Sequence, residues 1–371
     1  MSRTISILAA GDVGAKRADL DSMFRGCRDA LGGADLAFGQ LETVVSDGGA
    51  VVPNARLAMR APSGMAGAAR RAGFGVMSFA GNHCLDWGYE AFGDALRHAE
   101  AAGLRLCGAG PDIEAARSPA IVVVNGTRVA IVAACSILPE GYAAGDNKPG
   151  CAPLRAHVVY EQIEHDQPGT PARTRTYPDR DDLAALCDSI RRAAEKAEIV
   201  LLSVHWGLHM TEAVLADYQR IAAHAAIDAG AHAVLGHHPH ILKGVEIYNG
   251  RPIFYSLGNF AIEQPHVWDP AIVETASFRH LVSLNPHWDL DGAYMLPEAT
   301  RLTGLARLTV RDGRLEGIGF LPAYAEEDGA PRMLHEDEAE FDRVQAYLER
   351  VTRAAGFATR FDRSDGALLL R

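Results

Sequence analysis

The stretch 231–260, AHAVLGHHPHILKGVEIYNGRPIFYSLGNF, constrains this chain more than any other. Its apolar run Ala233-Val234-Leu235 reads as a buried strand that stops at Gly236 and delivers three imidazoles, His237, His238 and His240, into the following loop. The chain returns through Asn249-Gly250, a hairpin signal, to a second apolar strand, Ile253-Phe254-Tyr255, and a polar tip, Ser256-Leu257-Gly258-Asn259. Polar residues at the carboxyl ends of strands are where open α/β sheets keep their chemistry. Imidazole is the commonest metal-ligating side chain, and two of them two positions apart can aim at one small volume. One isolated histidine would read as a surface-loop residue; three, after a buried strand and a glycine, point to a metal site.

The same pattern recurs upstream. The apolar run 4–10 ends in Gly11-Asp12-Val13-Gly14, and the strand at 34–38 ends in Gly39-Gln40-Leu41-Glu42. A third strand, 75–79, runs into Ala80-Gly81-Asn82-His83-Cys84-Leu85-Asp86. There Asn82 can offer a neutral carbonyl oxygen to a cation, His83 can act as general acid, and Asp86 can orient the imidazole from behind. A fourth strand, 199–204, is followed by His205-Trp206-Gly207-Leu208-His209. Taken singly, Asp12 reads as a turn residue, Asp86 as a helix cap and His209 as part of a pocket rim. Taken together, the polar strand tips meet if parallel strands of one sheet bring them to one edge. Hard oxygens mixed with imidazole nitrogens and no thiolate suit Mn²⁺, Fe, Zn²⁺ or Co²⁺ better than Ca²⁺. A single carboxylate bridging two cations would fit a two-metal hydrolytic site.

Between these tips the chain alternates strand and helix. Helices are predicted at 17–32, 63–72, 89–102, 180–197 and 215–229, the last with His224 as a structural residue. A strand is expected near 104–107, and a hairpin over 119–136 turning at Asn125-Gly126. The segment 137–180, rich in Gly, Pro, Asp and Arg, reads as a lid or mobile insertion. Tyr142, Lys148, Arg155 and Arg173 within it are either anion contacts or, more simply, solvated surface groups. In the irregular region 261–303, His266, Trp268, His280, His287 and Trp288 could line a pocket, though no spacing demands it. A hairpin over 305–322 turns at Asp312-Gly313, and Phe341, Val344, Leu348 and Val351 mark the packed face of a helix at 337–355. The reading is one α/β domain over 1–325, with 326–371 as a helical extension packed on it.

The net charge of −11 argues against a nucleic-acid or anionic-membrane partner, while a bound cation would still admit an anionic small-molecule substrate. Six scattered cysteines without a CxxC pair read as reduced thiols, and the start of the chain has no signal-peptide core. A cytoplasmic protein is expected.

The blocks GDVG (11–14), DLAFGQLE (35–42), AGFGVMSFAGNHCLDWG (72–88), SVHWG (203–207) and GAHAVLGHHPHILKGVEIYNGRPIFYSLGNF (230–260), in that order, resemble the CapA family. These poly-γ-glutamate capsule biosynthesis proteins are a branch of the calcineurin-like metallophosphatase superfamily, and the likeness runs over most of 4–325. The resemblance implies a four-layer α/β/β/α sandwich. It further implies Asp12, Glu42, Asn82, His205, His238 and His240 as ligands of one or two divalent transition metals (Mn, Fe or Zn), with His83 as catalytic acid. Because HPH usually follows a variable position in the family, His238 and His240 are preferred over His237, leaving His209, His237 and Asn259 as substrate contacts. The chain departs from the pattern at Gly14, where the superfamily carries histidine, at Gln40 in place of asparagine, and at His209, where glutamate is frequent. Three functions follow as expectations: a metal-dependent hydrolase of a phosphoester or related anion, an enzyme of amide or γ-glutamyl chemistry, and a non-catalytic accessory protein of capsule polymer synthesis.

Overall fold

The structure, a computed structural model, describes residues 3–371 apart from 56, 167–168, 264–273 and 293. Strands β1 (Thr4–Gly14), β2 (Leu36–Leu41), β3 (Phe74–Ser78) and β4 (Arg105–Cys107) run parallel in one sheet, with α1 (Met65–Ala72) and α2 (Gly88–Ala101) packed against β3 and β4. The chain then builds a second sheet. The hairpin β5 (Ala120–Val124) and β6 (Thr127–Cys135) is followed by a separate ribbon, β7 (Ala156–Glu161) with β8 (Arg173–Pro178). Next come α3 (Arg180–Ala194), β9 (Ile199–His205), α4 (Asp217–Asp228), β10 (Ala233–His237), β11 (Val245–Tyr248) and β12 (Arg251–Phe254). The second sheet has the order β11-β12-β10-β9-β6-β5.

After β12 the chain crosses back. Strand β13 (Asn259–Ile262) pairs in parallel with the end of β1. It is followed by β14 (Leu302–Arg311), β15 (Arg314–Ala325), β16 (Pro331–Met333), α5 (Ala339–Ala354), β17 (Phe361–Ser364) and β18 (Ala367–Leu370). The first sheet therefore reads β17-β18-β15-β14-β1-β2-β3-β4, with β13 beside β1 and β16 beside β15.

Strand periodicity explains the layering. Side chains on a strand alternate between faces. Val129, Ile131 and Ala133 of β6 and Ile199 and Leu201 of β9 join the core shared with the first sheet. Their neighbours Ala130, Val132, Val200 and Leu202 join the other core, with Ile190 of α3 and Ala222 of α4. Both faces of the second sheet are covered, so its central strands β6, β9 and β10 carry near-continuous apolar runs, as buried parallel strands do. The result is the expected helix–sheet–sheet–helix sandwich. The turns at Asn125-Gly126, Asn249-Gly250 and Asp312-Gly313 all have left-handed φ at both positions, the requirement of a two-residue type I′ hairpin.

Several expectations are corrected. The helix at 17–32 is a 3-10 turn (Leu20–Phe24) and a short helix (Arg28–Gly32). Between them the chain presses on Pro331: a Cβ on Gly26 would lie 2.6 Å from the Pro331 carbonyl oxygen. The segment 326–371 is not only helical, because β17 and β18 extend the first sheet. Within 137–180, Arg173 is exposed but the other candidate anion contacts are engaged. Arg155 forms a bidentate pair with buried Asp182, and Lys148 donates to the Gly141 carbonyl. The Tyr142 hydroxyl points inward. His266 and Trp268 lie outside the described residues; His280 and His287 are exposed, and Trp288 Nε1 lies 3.5 Å from Met210 Sδ. His224 stacks on Tyr248 at 3.8 Å and is 3.1 Å from Glu246. Among the described residues no helix is long and apolar enough to cross a membrane.

Candidate metal centre

The polar strand tips do converge, but from two sheets rather than one. Asp12, Glu42 and the Asn82-His83 loop come from the ends of β1, β2 and β3; His205, His237, His238 and His240 come from the ends of β9 and β10. The site lies on the seam where the two carboxyl edges meet. Ligand atoms of Asp12, Glu42 and His205 all lie within 4.8 Å of one another, and all three residues are buried. Glu42 Oε2 is 3.5 Å from His205 Nδ1, and Asp12 Oδ2 is 3.5 Å from His240 Nδ1.

Local irregularity aims these groups. Strand β1 pairs with β14 through Ala9 and then with β13 from Asp12 onward, so its register breaks around Asp12. Such breaks re-aim side chains next to active sites. The neighbouring chain comes so close that a Cβ on Gly11 would sit 2.0 Å from the Gly258 oxygen, which Asp12 N–H reaches at 3.0 Å. In the loop after β10, His238 (φ 93°) and His240 (φ 59°) are both left-handed. Each such residue costs about 1–3 kcal/mol and persists only where its surroundings impose it. Here His238 N–H donates to Asp12 Oδ2 (3.3 Å), Met210 N–H donates to the Pro239 carbonyl (3.0 Å), and His240 Nδ1–H donates to Asn259 Oδ1 (2.7 Å).

The donor set fits a cation. His205 Nε2–H donates to Asn82 Oδ1 at 2.6 Å, which leaves the Nδ1 lone pair facing a Glu42 oxygen. Two ligand atoms about 2.1 Å from one metal at a tetrahedral angle lie about 3.4 Å apart, close to the separation seen here. Asp12 Oδ1, both Glu42 oxygens, His205 Nδ1 and His238 Nδ1 are buried without a hydrogen-bond partner. Among the described residues no lysine or arginine pairs with Asp12 or Glu42. Buried carboxylates facing lone pairs are costly unless a cation lies between them. Burial, then the nearby Asp12 and Asp86 charges, pushes the Glu42 carboxyl well above its ordinary range. Burial and neighbouring imidazoles hold His205 and His238 well below theirs, so their rings are neutral, as ligands must be.

His83 stands beside this centre with its two nitrogens in different roles. Nδ1 donates to Asp86 Oδ2 at 2.6 Å, and Nε2 faces Glu42 Oε1 at 4.0 Å. Asp86, 2% exposed, also accepts from Met59 N–H (2.8 Å) and from the Tyr142 hydroxyl (2.9 Å).

The three expected substrate contacts are placed differently. His237 is fully buried, with Nδ1 3.5 Å from Asp12 Oδ1 and its ring against Phe38, so it faces the interior and not a substrate. The reason is strand parity: Ala233, Leu235 and His237 share the inward face of β10. Asn259 is 2% exposed and engages the His240 ring. Only His209 sits at the rim, its ring 5.2 Å from that of His240 and 5.7 Å from that of His238. Burial, then His240, His83 and Lys243, lowers its pKa to about 3. The Tyr142–Asp86 contact was not foreseen; a tyrosine in a polar loop carries no sequence signal for it.

Residues 4–264 match the family of bacterial capsule synthesis proteins, PGA_cap. The chain belongs to that family. It is 32% identical over 192 residues to the PGA biosynthesis protein CapA of Bacillus subtilis (strain 168), covering 52% of this chain and 43% of that one. It is 34% identical over 188 residues to a probable polyglutamine synthesis accessory protein of Mycobacterium tuberculosis, covering 50% of this chain and 44% of that one. The chain thus spans less than half the length of these family members. Among solved structures, the calcineurin-like phosphoesterase YfkN from Bacillus subtilis aligns over 96% of this chain and 100% of its own, with 11% identity and a TM-score of 0.38.

Proposed function

We propose that this member of the capsule synthesis family is a metal-dependent hydrolase of a phosphoester or related anionic small molecule. The observation that carries the reading is the set of buried, unpartnered donors on Asp12, Glu42, His205 and His238, which asks for a divalent transition metal. His240, held by Asn259, and Asn82, held by His205, complete the set of residues that would bind it. Such a cation supplies Lewis acidity, polarising the ester and making water acidic enough to attack near neutral pH. The chain's own residues do the rest. His83 holds a proton on Nε2 for the leaving oxygen, and Asp86 fixes the ring by accepting the hydrogen bond from Nδ1–H, so that the imidazole donates from the edge facing the centre.

The test is metal analysis and turnover together. Purified protein should carry a transition metal in near-stoichiometric amount, lost on His238→Ala. With added Mn²⁺ it should release phosphate from aryl phosphates, and His83→Ala should abolish release with the metal retained. The name of the mycobacterial relative supports a second reading, an accessory role in polymer synthesis in which the site holds a cation without turnover. Full metal occupancy with no cleavage of a broad panel of phosphoesters and γ-glutamyl amides would favour it; cleavage of the amides alone would make this an enzyme of γ-glutamyl chemistry.

A further inference from the structure

Tyr142 lies in the 137–180 segment, yet it is 2% exposed and its hydroxyl sits under the His83 dyad. A buried phenol is retained at a cost unless its O–H has a partner. Here the partner is Asp86 Oδ1, at 2.9 Å. The other carboxylate oxygen, Oδ2, is taken by His83 Nδ1 and by Met59 N–H. Among the hydrogen bonds of the described residues, Tyr142 is therefore the sole donor to Oδ1, and its bond joins the two on Oδ2 in holding the carboxylate's rotation about the Cβ–Cγ axis. The tyrosine is itself held by its backbone. Its N–H donates to the Pro139 carbonyl (3.1 Å), and its own carbonyl accepts from Cys151 N–H (3.0 Å).

We propose that Tyr142 is a positioning residue for the acid: it locks Asp86, which in turn locks the His83 ring with Nε2 toward the metal centre. The turn it belongs to, residues 139–151, thereby supports the dyad rather than forming a detachable cover. The idea rests on the reading of His83 as the proton donor to a leaving group. A general acid matters most where the leaving oxygen is a poor one, and hardly at all for a leaving group that departs unprotonated. Loss of ring alignment should therefore be felt selectively.

The test is Tyr142→Phe in the full chain, which removes one oxygen and keeps the ring. With Mn²⁺ present and metal content equal to wild type, turnover of phenyl phosphate should fall by about tenfold or more, part of the roughly 10²–10⁴-fold that general acid catalysis contributes. Turnover of 2,4-dinitrophenyl phosphate should change by less than about twofold, with KM for both unchanged. Equal losses on the two esters, or none on either, would overturn the proposal. A second measurement needs no activity. The proton shared by His83 Nδ1 and Asp86 should give a far-downfield NMR resonance, identified by its loss in His83→Gln. In Tyr142→Phe that resonance should shift or broaden while the backbone amide spectrum is retained. An unmoved resonance would sink the role of Tyr142 even if the protein cleaves no phosphoester, whereas a moved resonance with an inactive wild type would fault only the hydrolase reading.

Discussion

Glu42 Oε2 lies 3.5 Å from His205 Nδ1 across the seam between the two sheets, and neither atom has a hydrogen-bond partner. Without a cation, Glu42 is strongly disturbed by this arrangement: burial, then Asp12 and Asp86, raises its pKa well above the ordinary value. The metal-free folded state then keeps a proton that the unfolded chain has released. The stability tied to that proton is complete below about pH 4.3 and is lost as pH rises through the folded value. Chelated protein should therefore lose Tm as pH rises above the ordinary glutamate range, and Glu42→Gln should flatten the slope. A saturating transition metal should raise Tm more at the higher pH, where it replaces the missing proton. Calorimetry with chelator and with Zn²⁺ checks this; a slope unchanged in Glu42→Gln counts against it.

His237 separates stability from binding. Its ring is fully buried, both nitrogens lack hydrogen bonds, and Nδ1 is 3.5 Å from Asp12 Oδ1. Leaving such a group unsatisfied costs about 1–3 kcal/mol. His237→Leu should stabilise the metal-free protein and raise its Tm. The same change removes the imidazole that stands 3.5 Å from Asp12 Oδ1 at the edge of the donor set, so metal affinity should fall by about tenfold. Thermal melts and competition with a chromogenic chelator give the two readouts. A lower Tm in the metal-free variant would mean that the ring is needed for packing alone.

How much of this was legible in the sequence depended on how local each signal was. The three I′ turns and the apolar strands could be read because the turn residues and the run of side chains sit next to one another. Convergence of the strand tips could be inferred, but not the seam between two sheets, because nothing local says which sheet a strand joins. Asn259 illustrates the limit. It reads as a loop tip after Tyr255, yet it opens a strand that pairs with β1, some 250 positions away in sequence. The C-terminal hairpin did have a signal, Asp365-Gly366 between FDRS and ALLL, with left-handed φ at both turn positions. His237 could have been placed by strand parity once β10 was extended by two residues. Tyr142 could not, since only tertiary packing turns its hydroxyl toward Asp86.

Gly236 sets how closely β10 approaches the turn after β12. A Cβ there would lie 2.2 Å from the Tyr255 oxygen and 2.7 Å from Trp206 Nε1, atoms that hydrogen-bond to each other at 3.0 Å. Trp206 is fully buried and stacks on Tyr255 at 5.9 Å. Gly236→Ala must break this bond or push β10 outward, carrying His238 and His240 with it. A loss of about 3 kcal/mol is expected, in the range of buried overpacking. Urea unfolding followed by tryptophan fluorescence measures it, and metal binding should weaken in parallel; full stability in the variant would show that the strands can part freely.

Asp86→Asn tests whether charge or geometry makes the dyad work. Asp86 accepts three donors: His83 Nδ1–H and Met59 N–H on Oδ2, the Tyr142 O–H on Oδ1. A carboxamide keeps one oxygen, which can take the first two, while its NH₂ meets the Tyr142 hydroxyl, able to turn and accept instead. Packing is nearly conserved, so the cost to folding should be about 1–2 kcal/mol, less than that of removing the side chain altogether. The negative charge behind the ring is gone, however, and with it the stabilisation of the protonated ring that must be in place before the leaving oxygen takes its proton. Turnover of a poor leaving group should drop by about a hundredfold or more with metal content unchanged, because general acid catalysis contributes on that scale. Circular dichroism melts, metal analysis and rates on phenyl phosphate decide the matter together. Wild-type rates in Asp86→Asn would mean that the carboxylate holds the loop and plays no part in proton transfer.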